Sequence, residues 1–240
     1  MTEQVAVLEK KIEEVSKRIS DLNDIDSIRK LHHIYGYYFD ACLFNEVVEL
    51  YSEDSEVRFM GGIFKGKESV RRFFCDRLRM RHTNGHNGPI YGFLLDHIMM
   101  QDVITISEDG RTAKGRYRTF MQAGRNELAE GLTRQWWEGG VYENTYVKED
   151  GIWKFKILDY RGLWHADFKT GWAHTPPNLY PFFSETYPND PMGPDEILDI
   201  VPKPVLWPDT GVLPFHYPHP VTGEKWEQYK DLNTSINTSI

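Results

Sequence analysis

Apolar residues recur in alternating steps of three and four near the start of the chain, and charged residues occupy most positions between them. This spacing is the a/d heptad pattern of a helix that packs against another helix. The partner can be the protein's own body or a second subunit. A seam of about three heptads is too short to decide between these two. The seam positions are Val5, Leu8, Ile12, Val15, Ile19 and Leu22.

Cap-forming polar residues follow this seam and predict a break in the helix. Asn23, Asp24 and Asp26 are residue types that cap helices and turn chains, so we expect a second helix after them. That helix presents one apolar stripe and ends near Asp40. The stripe consists of Ile28, Leu31, Tyr35, Tyr38 and Cys42.

The next part of the chain mixes short helices with one hairpin. A helix is predicted over residues 45–54, and an amphipathic helix over residues 66–78. Between them, residues 57–59 have the character of a strand, and Gly61 with Gly62 indicates a turn. The glycine- and asparagine-rich stretch at residues 81–88 is predicted to be a loop.

Strand-like alternation begins at His97 and continues through the middle of the chain. Turns are predicted at residues 108–110 and 149–151, each flanked by segments whose apolar residues alternate as in a sheet with one buried face. The chain therefore belongs to the α+β class, with helices first and a curved antiparallel sheet after them. Such a sheet can wrap the helices as a half-open cone with a pocket between the layers.

The last quarter of the chain has a different composition. Twelve of the thirteen prolines fall between Pro176 and Pro220, a density that excludes regular helix and sheet. The aromatic residues among them are too apolar for a solvated linker, so we expect an extended arm over the body or over a neighbouring subunit. These aromatics include Tyr180, Phe182, Phe183, Trp207, Phe215 and Tyr217.

Composition and charge argue against nucleic acids and membranes as binding partners. A net charge of −8 without a block of Lys or Arg gives no attraction to nucleic acid or to an anionic membrane. The N-terminus has no apolar signal core, so we expect a cytoplasmic protein. Cys42 and Cys75 form no CxxC pattern and are expected to be buried thiols.

Neither a metal nor an organic cofactor is predicted. Of the nine histidines, His82 with His86 falls in a predicted loop and His216 with His219 in the proline-rich tail. Neither pair lies on a predicted helix together with a third, carboxylate ligand. The sequence also lacks a phosphate-cradling glycine loop and a dinucleotide fingerprint.

Asp40 and His97 are the candidate catalytic pair. A carboxylate at the end of an apolar, tyrosine-rich helix face must contact water or accept a hydrogen bond from a protein donor, or else its burial in a cavity raises its pKa. An imidazole titrates near neutrality and acts as a base when an adjacent carboxylate fixes its tautomer. His97 is thus the predicted base and Asp40 its orienter. Tyr35 and Tyr38 are candidate acids or anchors, although tyrosines on a helix stripe are more often part of a core.

Aromatic residues on the later strands predict the kind of ligand. They favour a flat, bulky, apolar molecule over a sugar phosphate or a nucleotide. The predicted pocket mouth is formed by Trp136, Trp137, Tyr142, Tyr160 and Trp164.

The order of these landmarks resembles the SnoaL-like branch of the nuclear transport factor 2-like superfamily, over roughly residues 24–172. The resemblance rests on the first domain helix with Ile28, Leu31, Tyr35 and Asp40, on Phe64 with residues 66–73, on His97 before residues 109–117, and on residues 140–158. It implies a cone-shaped α+β barrel, with an N-terminal helix at residues 1–23, a catalytic domain at 24–174 and an arm at 175–240.

Within that superfamily the chain is similar to cofactor-independent dehydratases and lyases in which an aspartate and a histidine form a dyad. Asp40 and His97 match those two positions, and Tyr35 matches the tyrosine that precedes the aspartate in bile acid dehydratases. Arg161 is the nearest substitute for the basic residue that these enzymes often carry on the late strand. The residues after the last strand also resemble lyases that release formaldehyde from lignin-derived diaryl compounds.

The resemblance implies a lyase without cofactor that acts on a hydroxylated aromatic or polycyclic molecule and releases water or formaldehyde. Tyr38, Tyr142, Tyr160, Trp164 and Trp137 are its expected substrate-binding residues, and a homodimer or homotrimer is its expected assembly. The alternative is a non-catalytic relative, either a ligand-binding protein or an assembly subunit like the small chains of ring-hydroxylating dioxygenases.

Overall fold

One continuous helix, α1, opens the fold. The computed structural model describes residues 2–126, 135–173, 182–198, 207 and 212–225, and α1 covers Thr2–Asp40. The predicted break at residues 23–26 is therefore wrong. Asp24 does not cap a helix; its buried carboxylate accepts hydrogen bonds from the Trp153 indole at 2.8 Å and the Lys148 ammonium at 2.7 Å. Because its carboxylate is bound to two side chains of the sheet, Asp24 does not compete for the hydrogen-bonding groups of the helix backbone.

The remaining helices form one face of the cone. α2 covers Phe44–Val48, and a second helical stretch runs through α3 at Lys67–Arg71, a π-helical segment at Arg72–Leu78 and α4 at Arg79–Thr83. α2 ends earlier than predicted because the residues after Leu50 join the sheet. Among the described helices, none has both the length and the apolar character needed to cross a membrane.

The described residues form one sheet of seven strands in the order β3-β4-β5-β6-β1-β2-β7. All neighbouring pairs are antiparallel except β1 with β6. The strands are β1 at Tyr51–Phe59, β2 at Gly62–Lys65, β3 at Phe93–Ile106, β4 at Thr112–Arg125, β5 at Gln135–Glu149, β6 at Ile152–Asp167 and β7 at Glu196–Ile197.

Both predicted hairpin turns and the α+β class are confirmed. The long strands β3 to β6 curve around the C-terminal half of α1, and β3 and β7 form the two edges of a sheet that does not close. The core between the layers is strongly aromatic, with Tyr35 of α1 against Phe155 of β6 at 5.5 Å between ring centroids. One strand limit differs from expectation: β3 begins four residues before His97, at Phe93.

Part of the proline-rich tail packs on the body. Of the tail aromatics named above, Tyr180 lies outside the described residues. Phe183 is buried against the Phe64 ring at 5.8 Å and covers Gly62, where a Cβ would stand 2.6 Å from the Phe183 ring. Asp195 accepts a hydrogen bond from Arg72 at 2.5 Å. The tail also contributes the two-residue strand β7 beside β2, so the expectation of no sheet there is wrong.

Phe183→Ala should lower the free energy of unfolding by roughly 3–5 kcal/mol, because it empties a buried aromatic site between tail and body. Phe168→Ala is the matched control: Phe168 is 51% exposed, and its loss should cost less than about 1 kcal/mol. Urea unfolding of both variants measures the difference. Equal effects would mean that the tail does not stabilise the body.

Candidate active site

A cavity lies between the helices and the concave face of the sheet. Its empty volume, which includes the opening to solvent, is about 840 Å³. Aromatic and aliphatic side chains form most of its wall, and a few polar groups converge on it. The lining is Tyr35, Phe39, Phe59, Met60, Phe73, Phe74, Leu78, Arg81, His82, Leu95, His97, Met121, Trp136, Glu138, Tyr142, Leu158, Tyr160, His165 and Phe182.

One row of cross-strand neighbours supplies four of these side chains. His97 of β3 is paired with Met121 of β4, Met121 with Glu138 of β5, and Glu138 with His165 of β6. Residues directly opposite each other in a sheet point to the same face. The register of four strands therefore places two histidines and a carboxyl group in one line across the cavity wall.

His97 is buried at one end of this row. Its Nε2 lies 3.0 Å from the Tyr142 hydroxyl, which is 3.5 Å from the Tyr35 hydroxyl. Its Nδ1 is buried and has no hydrogen-bond partner among the described residues. Burial lowers the pKa of His97 to about 4 and raises the pKa values of Tyr35 and Tyr142 above their usual range. At neutral pH the imidazole and both phenols are therefore uncharged.

Asp40 lies beside His97 but does not bind its ring. The carboxyl group is close to the main-chain N–H of His97, and its Oδ1 is buried without a hydrogen-bond partner. Burial raises the pKa of Asp40 to about 6; the N–H of His97 lowers it and Asp96 raises it further. The expected side-chain dyad is not formed, because edge strand β3 turns its backbone toward α1 while the His97 ring points inward to Tyr142.

A second polar pair lies two strands away from His97 in the same wall of the cavity. The Tyr160 hydroxyl of β6 donates a hydrogen bond to the carboxyl group of Glu138 on β5, and both side chains are buried. The rings of Tyr160 and Tyr142 are 5.1 Å apart. The cavity thus brings a neutral imidazole and a phenol–carboxyl pair to the same enclosed space.

The structure separates the predicted substrate-binding residues into two groups. Tyr142 and Tyr160 line the cavity, whereas Trp137, Trp164 and Tyr38 lie outside its lining. Trp137 packs against Phe168, with ring centroids 5.5 Å apart. Alternation along β5 explains the position of Trp137, because the neighbours of the inward Trp136 and Glu138 point outward. Tyr38 of α1 is partly buried and packs against the core.

Trp164 is displaced from the cavity by a bulge in β6. Gly140 of β5 pairs with Gly162, but Gly139 pairs with Trp164, so one residue of β6 is left without a partner between them. This extra residue shifts the alternation: Trp164 lies on the convex face over Gly139, and His165 turns into the cavity.

Arg161 is also absent from the cavity lining. It follows the inward Tyr160 on β6 and is therefore on the opposite face. Its guanidinium binds Asp159 through two hydrogen bonds of 2.8 and 2.7 Å. The prediction that Arg161 substitutes for the basic residue of the late strand has no support in this geometry.

Sequence reasoning missed Glu138 entirely. Glu138 is four residues before Tyr142 on β5, so period-two alternation from Tyr142 would have placed it inside the cavity. His165 had no such signal, because the bulge reverses the phase. Within the described ranges, no group of three or more His, Cys, Asp and Glu side chains is arranged to hold a metal ion.

Comparison with known proteins identifies the fold. The profile of the SnoaL-like domain matches residues 20–159, and no curated protein matches the chain. The LinA type 2 hexachlorocyclohexane dehydrochlorinase is 17% identical, with a TM-score of 0.53 over 67% of this chain and 99% of its own. LinA type 3 from Novosphingobium barchaimii LL02 gives the same values. A scytalone dehydratase-like protein from Novosphingobium aromaticivorans DSM 12444 is 21% identical, with a TM-score of 0.49 over 63% and 91%.

Asp40→Asn should become more stable relative to the wild type as pH rises. A folded-state pKa of about 6, against 3.8 ordinarily, means that protonated Asp40 stabilises the fold at low pH and that this contribution is lost as pH rises through 6. Melting temperatures near pH 4.5 and near pH 8 measure the change. Asp26→Asn is the control: Asp26 is exposed and its pKa is lowered, so it is ionised at both pH values and its difference from the wild type should not change between them. A difference independent of pH would contradict the buried state of Asp40.

Proposed function

This chain belongs to the SnoaL-like domain family, and we propose that it is a lyase that acts on a hydroxylated aromatic or polycyclic small molecule. In this proposal, its own side chains move the protons, and water or formaldehyde leaves. The observation that carries the proposal is the buried, uncharged His97 in an aromatic cavity that also contains the Tyr160–Glu138 pair. Two proteins with this fold are dehydrochlorinases, which fits an elimination.

The cavity wall supports the choice of substrate class. Most of its lining is aromatic or aliphatic, so a flat apolar skeleton gains free energy on entering while a phosphate or a free sugar loses its hydration. The polar groups His97 and Glu138 lie two strands apart in one row of the sheet wall. A ligand with hydroxyl groups at some distance from each other would satisfy both His97 and Tyr160.

His97 is the proposed base. In the tautomer whose Nε2–H donates to Tyr142, Nδ1 has a free lone pair and can accept a proton from the substrate. Tyr142 fixes the ring plane, and Tyr35 extends the hydrogen-bonded chain behind it. Asp40 is a positioning residue in this scheme, because it acts on the backbone of His97 and not on its ring.

Tyr160 is the proposed acid. In a dehydration, a C–H proton goes to His97, the C–O bond breaks, and Tyr160 gives its proton to the leaving oxygen, so that water and a carbon–carbon double bond form. In a deformylation, the hydroxymethyl O–H gives its proton to His97, the C–C bond breaks as formaldehyde leaves, and Tyr160 protonates the carbon that remains. Glu138 accepts the Tyr160 hydrogen bond and holds the hydroxyl in place.

The proposal is tested by incubating chelator-treated protein with hydroxylated diarylpropanes, phenylcoumarans and hydroxysteroids. Product masses and released formaldehyde are then measured. Loss of water identifies a dehydratase, and formaldehyde identifies a carbon–carbon lyase. No turnover across the panel, together with ligand-induced stabilisation of the fold, would favour the non-catalytic binding protein instead.

His97→Gln should lower kcat/KM by at least about a hundredfold, because general-base catalysis typically contributes a factor of 10²–10⁴. Glutamine retains hydrogen-bonding capacity near Tyr142 but cannot accept a proton. His86→Gln, at an exposed histidine, is the matched control and should keep full activity. Unchanged turnover in His97→Gln would remove His97 from the mechanism.

Tyr160→Phe should lower kcat more than it raises KM, because the phenyl ring still packs against the substrate but has no proton to give. Glu138→Gln should have a smaller effect of the same kind. Tyr37→Phe is the control, since Tyr37 is 78% exposed. The kcat and KM of each variant are measured by steady-state kinetics with the first substrate found to be active. A change confined to KM would show that Tyr160 binds the substrate but does not donate the proton.

A further inference from the structure

The first half of α1 extends away from the body with an apolar stripe that is exposed among the residues the structure describes. Every residue at positions 4–20 is exposed. The six seam side chains have exposures between 47% and 65%, although burial is the usual state of such residues. They are Val5, Leu8, Ile12, Val15, Ile19 and Leu22. This surface, which we call the α1 seam, needs a partner.

The body of the same chain cannot be that partner. Folding the seam back would require a break near residues 23–26, but α1 is continuous through them. Asp24 further fixes the helix at this point through Trp153 and Lys148. At 1.5 Å per residue, the seam therefore extends roughly 30 Å beyond Asp24.

We propose that the α1 seam binds the α1 seam of a second copy of this chain in a parallel, two-stranded coiled coil. The a positions are all β-branched, namely Val5, Ile12 and Ile19, and two of the three d positions are leucine. β-branched residues at a with leucine at d favour two parallel strands over three or four.

The charges beside the seam select the parallel orientation. In an antiparallel pair that overlaps the whole seam, the g positions of the two helices meet, and Lys11 would face Arg18 of the other copy twice. Like charges at these positions are destabilising. In the parallel pair, Lys11 faces Ser16 and Arg18 faces Asn23, so no like charges are opposed.

The seam ends where the helix reaches the body. The next a and d positions after Leu22 are Asp26 and Arg29, and Arg29 is already bound to Asp102 of β3 at 3.2 Å between Nη2 and Oδ1. Both bodies of the proposed dimer therefore lie at the same end of the coil, related by a twofold axis. About three heptads alone form a weak coil, so the association should be reversible.

The strongest test compares two valines on the same helix. Val15 is a seam residue and is 55% exposed, whereas Val7 is 51% exposed at a c position outside the seam. Sedimentation analysis of the full chain over a hundredfold range of concentration should show a monomer–dimer equilibrium for the wild type. Val15→Lys should weaken the association at least tenfold, and Val7→Lys should leave it unchanged.

A cysteine cross-link then tests the orientation. In Val5→Cys, the two new thiols face each other only in a parallel pair, and mild oxidation should give a covalent dimer on a non-reducing gel. Val7→Cys is the control, and the native Cys42 and Cys75 are buried. A monomeric wild type, a trimer, equal effects of the two lysine variants, or no Val5→Cys cross-link would each overturn the proposal.

Discussion

Desolvation of polar groups inside an aromatic cone is the constraint on which this structure depends. The curved sheet and the helices enclose His97, Tyr142, Tyr35 and Glu138 among aromatic rings. A charge in such a place is costly unless a partner compensates it. The imidazole and the phenols accordingly stay neutral and bind one another. The desolvation that keeps the phenols protonated also keeps the His97 imidazole deprotonated at neutral pH, so that it can accept a proton.

Helix α1 connects three separate properties of the molecule. Its first half carries the α1 seam, and its middle is fixed to the sheet through Asp24. Its last turns bring Tyr35 to the cavity and Asp40 to the backbone of His97. Because the helix is unbroken, the orientation of the seam is linked to the position of the site. A twofold pair of seams would hold two cavities in a fixed relation without contributing a residue to either.

The limits of sequence reasoning here follow from sheet geometry. Alternation and turn signals predict the α+β class and both hairpins, and the family resemblance implies the cone. Tyr142 and Tyr160 are expected at the pocket because they are aromatic residues of the later strands, not because of their alternation. The same alternation would have favoured Glu138 over Trp137. No local pattern marks the β6 bulge, because the unpaired residue exists only relative to β5. The sequence therefore predicts Trp164 at the pocket, where the structure has His165 instead.

The cap signal at Asp24 failed for a related reason. Asn, Asp and Ser favour helix ends because their side chains compete for nearby backbone groups. A distant donor removes that competition, and Trp153 is more than a hundred residues away in sequence. Local sequence alone could not reveal that contact.

The His97 ring binds the phenol of Tyr142 and not the carboxylate of Asp40. This difference affects which substrates suit the proposed lyase. A carboxylate bound to the ring would stabilise the imidazolium that forms when the base takes a proton. Tyr142 is neutral and gives less of this stabilisation, in keeping with a His97 pKa of about 4. A base this weak removes only a proton whose departure the substrate itself makes easy. A conjugated phenolic ring that spreads the developing charge meets this condition, and an isolated alcohol does not.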